Sequence, residues 1–490
     1  MGRVRNTRPI LVVLLLMLGL PLMGLPVAPA LASSEKLDWQ PCADDDTAQC
    51  ATLRVPIKTG DDGYGEKLPI AVARRTAARP ALRVGTLLVN PGGPGSSGVD
   101  MVLNAAGFFS PALRARFDIV SFDPRGVGRS TPVVCARSLL DAGPSPIVRS
   151  KAAYTELIAH HRELTRDCAK RSGPVYQHAD SLSVAADMEL LRRALGEKQI
   201  SFYGASYGTL LGAQYAERYP GRVRALVLDS VIDHSVGTKE FLADGTAAAQ
   251  DSFEQFVSWC ARYKACVLYG RNVRAMWSAL LVRAAAGAVV DPYRPAFRPT
   301  VFDLLDIALG SLYGPQWDSL AYYINEASSP APTARRAAAE DEEKYSFPAI
   351  FCSDFSFPRV GHASYTRRLA DLRATAPAMP VSPLALSAVA GCLGATGPVN
   401  NPQRELRPAT VPTLLVGSYH DPATPYVWSQ RAAAQLGPSA SLLTYVGWGH
   451  VSYGRTACVT GYVDRYLVNL IKPAAGARCP GVIPPAVGVG

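Results

Sequence analysis

The chain has 490 residues, of which 48% are hydrophobic and 18% charged, with a formal charge of +10 at pH 7. This is a globular composition, and its positive excess is scattered rather than gathered into Lys/Arg blocks with interleaved aromatics, so nucleic acid is not an expected partner. The 10 cysteines form no C-x-x-C pair and no His/Cys cluster at zinc spacing, which argues against a metal and for disulfides in an oxidising compartment.

Arg3, Arg5 and Arg8 precede an apolar run over residues 10–20, and Ala30-Leu31-Ala32 precedes Ser33. The pattern is that of a secretory signal peptide spanning 1–32. The run is short for a spanning helix and is followed by Pro21 and Pro26, so no stable membrane insertion is expected. Losing three arginines and no acids lowers the charge to +7. A secreted protein, extracellular or associated with the cell wall, follows. Cysteine spacing suggests local pairs: Cys42 with Cys50, Cys135 with Cys168, Cys260 with Cys266, Cys352 with Cys392, and Cys458 with Cys479.

Short apolar runs at 68–73, 85–90, 117–122, 199–203, 225–228, 413–417 and 441–446 predict strands. Several are almost continuously apolar, as expected of parallel strands buried on both faces. Helical patterns at 183–195 and 209–219 separate some of them, which predicts an α/β architecture with a mostly parallel central sheet and flanking crossover helices. The interval between 228 and 413 is far longer than one crossover needs. Amphipathic helices at 239–260, 272–286 and 300–313 predict a mainly helical cap over 235–405. The core then comprises 33–234 and 406–479, with a flexible tail at 480–490.

Within this frame, Gly204-Ala205-Ser206-Tyr207-Gly208 joins a predicted strand directly to a predicted helix. A strand reversing sharply into a helix strains the serine and lifts its hydroxyl above the sheet, and only small neighbours fit beside it. Ser206 is therefore the candidate nucleophile. A serine hydroxyl needs a base, and the base needs a group to orient it. Asp421 follows the run at 413–417 and His450 follows the run at 441–446 within Gly447-Trp448-Gly449-His450, so the ends of parallel strands carry both. His234 and His420 are rival bases, and Asp229 and Asp233 rival acids.

Acyl transfer also requires two N–H donors for the oxyanion. Asn90-Pro91-Gly92-Gly93-Pro94-Gly95 supplies a glycine loop after a strand, so Gly93 and Tyr207 are assigned as donors. A phosphate loop is the rival, but no G-K-[ST] follows and no G-x-G-x-x-G is present, and no cofactor is called for. Asp123 and Arg125, in Asp123-Pro124-Arg125-Gly126-Val127-Gly128, are expected to brace the oxyanion loop.

Together with Asp421-Pro422-Ala423-Thr424-Pro425 and Gly449-His450, these motifs resemble the secreted tripeptidyl aminopeptidase family, related to proline iminopeptidases among the α/β-hydrolases. Tyr313-Gly314-Pro315-Gln316-Trp317 and Ala349-Ile350-Phe351-Cys352-Ser353-Asp354 are similar too. The resemblance implies a serine exopeptidase that releases di- or tripeptides from the free amino terminus of peptide or protein substrates through an acyl-enzyme on Ser206. Such an enzyme needs a carboxylate for the substrate ammonium. Asp354 is the candidate, with Glu342 and Glu343 as alternatives. Ser230 and His234 depart from the Gly and Pro usual in the family. The same triad could serve an esterase or lipase, and the fold alone could serve a binding protein.

Overall fold

The computed structural model describes residues 1–2, 36–58, 65–328, 342–395, 397–408 and 410–484. The predicted signal peptide, most of the Ala/Pro/Arg-rich stretch before 341 and the last residues of the tail lie outside the described residues. Residues 34–490 form one compact unit, in which contacts do not separate the inserted helices from the sheet.

The strands are β1 (Gln40–Cys42), β2 (Asp45–Pro56), β3 (Lys67–Arg75), β4 (Gly85–Asn90), β5 (Phe117–Phe122), β6 (Val134–Ala136), β7 (Ile200–Ala205), β8 (Val223–Asp229), β9 (Glu342–Lys344), β10 (Thr413–His420), β11 (Ala440–Trp448) and β12 (Arg478–Pro480). The main sheet runs β1-β2-β3-β5-β4-β7-β8-β10-β11-β12. From β5 to β12 every neighbour is parallel, while β1, β2 and β3 form an antiparallel margin. All seven predicted strands are present. Neither β1, β2 nor β12 was foreseen.

Both faces of the sheet are covered, which explains the continuous apolar runs. Leu88, Phe202, Leu226 and Leu415 face the helices Ser181–Ala194 and Gly208–Arg218 through Val184, Met188, Leu211 and Tyr215. Leu87, Val89, Val227 and Leu414 share the opposite face with Val99, Val459 and Val463. The five disulfides join the pairs suggested by spacing. Among the described residues no helix is long and apolar enough to cross a membrane.

Among the described residues, seven helices lie between β8 and β10, from Thr238–Arg262 to Pro383–Cys392. They pack around a core of their own that includes Phe253, Trp277, Leu305, Leu320 and Leu386. That core also takes in Val148, Tyr154 and Leu157 from the loop before, and the first half of, the helix Lys151–Ser172. Tyr365 Oη donates to Pro146 O at 2.8 Å, and β6 pairs antiparallel with β9. The stretch around 134–172 thus contacts both layers: Tyr154 and Leu157 pack with the inserted helices, whereas Cys135, Leu164 and Cys168 pack with the sheet. Its helix is rich in Lys, His and Arg, so its apolar stripe is narrow.

Candidate active site

The wholly buried β7 ends at Ser206, whose φ is +55°. That left-handed conformation costs a non-glycine residue about 1 kcal/mol and is the strained turn that raises the hydroxyl. Its N–H donates to Asp229 O at 2.9 Å, which fixes the turn against β8. The flanking glycines are steric requirements. A Cβ on Gly204 would lie 2.4 Å from Gly208 O, and one on Gly208 would lie 2.6 Å from Asn90 Oδ1.

Asp421 follows β10, and His450 follows its parallel neighbour β11. His450 Nδ1 lies 3.0 Å from each oxygen of Asp421. Asp421 Oδ1 also accepts from the N–H groups of Ala423 and Thr424 at 2.9 and 3.0 Å. Oδ2 accepts from Ser230 Oγ at 2.8 Å and Thr424 Oγ1 at 3.0 Å. Burial alone would raise this carboxyl, but the adjacent His450 and the hydrogen bonds prevail and hold it below its ordinary value. An anionic Asp421 facing Nδ1 leaves Nε2 to take a proton from a nucleophile. Among the described residues Ser206 Oγ makes no hydrogen bond, so nucleophile and base are not in contact here. Catalytic hydrogen bonds of this kind tighten when substrate binds.

The His450 loop is held from several sides. His450 N–H donates to Tyr313 O at 2.8 Å, and the Tyr313 ring meets the imidazole edge-on at 5.0 Å. Asp229 accepts from Ser452 N–H at 3.0 Å, Tyr453 N–H at 2.8 Å and Tyr203 Oη at 2.9 Å. It acts as a tether of the loop that bears the base. The role of Asp229, like that of Tyr313, depends on distant partners and has no local signature in sequence.

The glycine loop closes against the elbow. A Cβ on Gly92 would lie 2.4 Å from Ala205 O and 2.8 Å from Tyr207 N, so this approach tolerates only glycine. Gly92 N–H is occupied by Asn90 Oδ1 at 2.9 Å. Among the described residues the N–H groups of Gly93 and Tyr207 donate to no protein acceptor, which leaves them for an oxyanion. Asp123 braces this loop: its Oδ1 accepts from Ser97 Oγ at 2.6 Å and Val99 N–H at 3.0 Å. Arg125 does not. Its guanidinium is fully buried, paired with Asp187 at 2.6 Å and bonded to Ile57 O at 2.7 Å. It therefore clamps the end of β2 to the helix Ser181–Ala194.

The rival groups are engaged elsewhere. His234 Nε2 lies 2.6 Å from Asp354 O, and His420 Nδ1 lies 2.6 Å from Asp251. Asp233 accepts from Ser235 N–H at 2.9 Å. Asp354, expected to meet a substrate ammonium, is fully buried. Its carboxylate accepts from Tyr207 Oη at 2.6 Å, Ser181 N–H at 2.9 Å and Asn401 Nδ2 at 2.9 Å. Burial pushes it up to about 6, against hydrogen bonds from Ser181 and Tyr207 that favour the charged form. With its oxygens committed and no exposed surface, Asp354 does not fit the expected role. Glu343 sits on β9 at 3.4 Å from Arg137, and Glu342 pairs through its backbone with Ala136.

A serine elbow at the carboxyl edge of a mostly parallel sheet, with acid and base on the ends of two later strands, defines an α/β-hydrolase. The chain belongs to that family: the family model described as alpha/beta hydrolase fold matches residues 85–454. It is a serine hydrolase, and its relatives bear peptidase and esterase names. It is 29% identical over 482 residues to serine protease Hip1 of Mycobacterium tuberculosis, covering 91% of each chain. To a tripeptidyl aminopeptidase of Streptomyces lividans it is 30% identical, over 93% of this chain and 89% of that one. To carboxylesterase B of Mycobacterium tuberculosis it is 32% identical, over 93% of this chain and 91% of the other.

Proposed function

We propose that the protein is an exported serine exopeptidase that removes short peptides from a free amino terminus, with Ser206 as nucleophile, His450 as base, Asp421 as the group that orients it, and Gly93 and Tyr207 N–H as oxyanion donors. Attack by Ser206 Oγ on the scissile carbonyl passes its proton to His450 Nε2. The imidazolium then protonates the leaving amine, and water releases the acyl group by the reverse sequence. The observation that carries this reading is the pairing of His450 with a buried, anionic Asp421 beside a left-handed serine elbow. Export is supported by the basic and apolar amino-terminal sequence and by the five disulfides.

Preference for an amino terminus requires a carboxylate within reach of the scissile bond. Asp306 offers one. It lies seven residues before Tyr313 on the helix Val301–Tyr313, two turns and about 10 Å along the same face. Its carboxylate is exposed and, among the described residues, has no hydrogen bond or ion pair. Crowding by the surrounding protein, and then the neighbouring Asp303, raise its protonation range. An extended tripeptide is about 10 Å long, so an ammonium at Asp306 places the third peptide bond near the catalytic histidine.

The naming of one relative as carboxylesterase B supports a second reading, ester hydrolysis by the same groups. Hydrolysis of tripeptide anilides with free and acetylated amino termini, beside a short-chain ester and a Ser206→Ala control, separates them. Turnover of the free-amine peptide alone is expected. Ester turnover alone would replace the exopeptidase with an esterase.

A further inference from the structure

Ser230, the residue after β8, is buried and has a φ of +60°. Glycine adopts that conformation without steric cost, whereas a residue with a Cβ is strained there. Its N–H is bonded to Val416 O at 2.9 Å, on the strand that leads to Asp421. Its hydroxyl makes two further bonds. It donates to Asp421 Oδ2 at 2.8 Å and accepts from Val451 N–H at 2.9 Å. Val451 follows His450 directly and is itself left-handed, with a φ of +65°.

One oxygen thus bridges the acid and the backbone beside the base. We propose that Ser230 is a positioning residue, whose hydroxyl sets the separation and orientation of Asp421 and His450. Without it, Oδ2 keeps Thr424 Oγ1 at 3.0 Å as a donor, but the half-buried Val451 N–H loses its acceptor. The turn carrying His450 then loses the bond that holds its strained residue, and the imidazole is free to leave the geometry in which Nε2 faces the nucleophile. The serine is a backbone liability that the hydroxyl offsets.

Two variants separate the hydroxyl from the strain. Ser230→Ala removes the hydroxyl and keeps the Cβ, whereas Ser230→Gly removes both. Each is assayed on whichever peptide anilide or ester the parent turns over, with folding verified by thermal melting above the assay temperature. The inference rests on Asp421 and His450 being acid and base, so His450→Ala and Ser206→Ala are run beside them. The expected result is a fall in kcat of about tenfold in both variants, with KM within about twofold. Ser230→Gly at parental kcat, or a loss confined to KM, would overturn the proposal. Residual parental activity in His450→Ala would instead overturn the triad.

Discussion

Tyr207 Oη donates to Asp354 Oδ2 at 2.6 Å, and so ties the residue after the nucleophile to the helix Phe347–Asp354 of the inserted segment. In the proposed mechanism the main chain of Tyr207 offers one N–H to the oxyanion, and its side chain is anchored in the helical layer. Removing either end of this bond should loosen that donor. Tyr207→Phe and Asp354→Asn are each expected to lower kcat by about five- to tenfold, and the double variant by no more than the larger single effect. A double-mutant cycle on kcat checks this; additive losses would show that the two side chains act separately.

Asp354 and Asp421, both buried, should leave opposite marks on stability. Burial raises Asp354 to about 6, so the folded state holds its proton more tightly than the unfolded chain. Its contribution is greatest in acid and declines as pH rises from about 4 through 6. Asp421 is held below its ordinary value, so its contribution is present above about pH 4 and is lost as pH falls through the folded value. Thermal melts across this range should show the decline between pH 4 and 7 flattened in Asp354→Asn, and the loss below pH 4 flattened in Asp421→Asn.

Gly93 has a φ of +107°, and a Cβ there would lie 2.8 Å from Gly95 N. Gly93→Ala should therefore turn its N–H away from the oxyanion. A fall in kcat of about a hundredfold is expected, with affinity for a tetrahedral boronate falling in parallel. Unchanged boronate affinity would remove Gly93 from the oxyanion site.

Asp306→Asn tests the amine site directly. KM for a free-amine tripeptide anilide should rise about tenfold, while kcat and the melting temperature stay level. A fall in kcat and melting temperature with KM unchanged would assign Asp306 to folding instead.

The disulfide Cys352–Cys392 joins two inserted helices across a sequence separation of 40 residues. Closing such a loop limits the unfolded chain by about 4 kcal/mol in the chain-entropy treatment. Replacing both cysteines with serine should lower the melting temperature by several degrees.

What sequence revealed, and what it withheld, follows the range of the interactions involved. The seven predicted strands and the elbow at Ser206 rest on local patterns: apolar runs, and glycines whose Cβ atoms would collide two to four residues away or on the next strand. The acid and base are visible because each follows a strand. Asp354 read as a free carboxylate because nothing nearby in sequence reveals that Ser181, Tyr207 and Asn401 reach it. Arg125 sits in a motif beside the oxyanion loop, yet its partner Asp187 lies on a later helix. Asp306, proposed as the amine partner, lies on an amphipathic helix, where a solvated acid and a ligand-facing one look alike in sequence.

The pairing of β6 with β9 has a consequence for any attempt to change substrate range by exchanging parts. Residues 235–405 are not a self-contained cassette: Glu342–Lys344 completes its ladder only on Val134–Ala136, which the chain lays down before the nucleophile. A chimera that imports the later helices alone would present an unmatched strand edge and a foreign surface to the native Lys151–Ser172 helix, inviting aggregation rather than a new specificity. Recombination between relatives should move the two stretches as one unit, and variation along either should be accompanied by compensating change in the other.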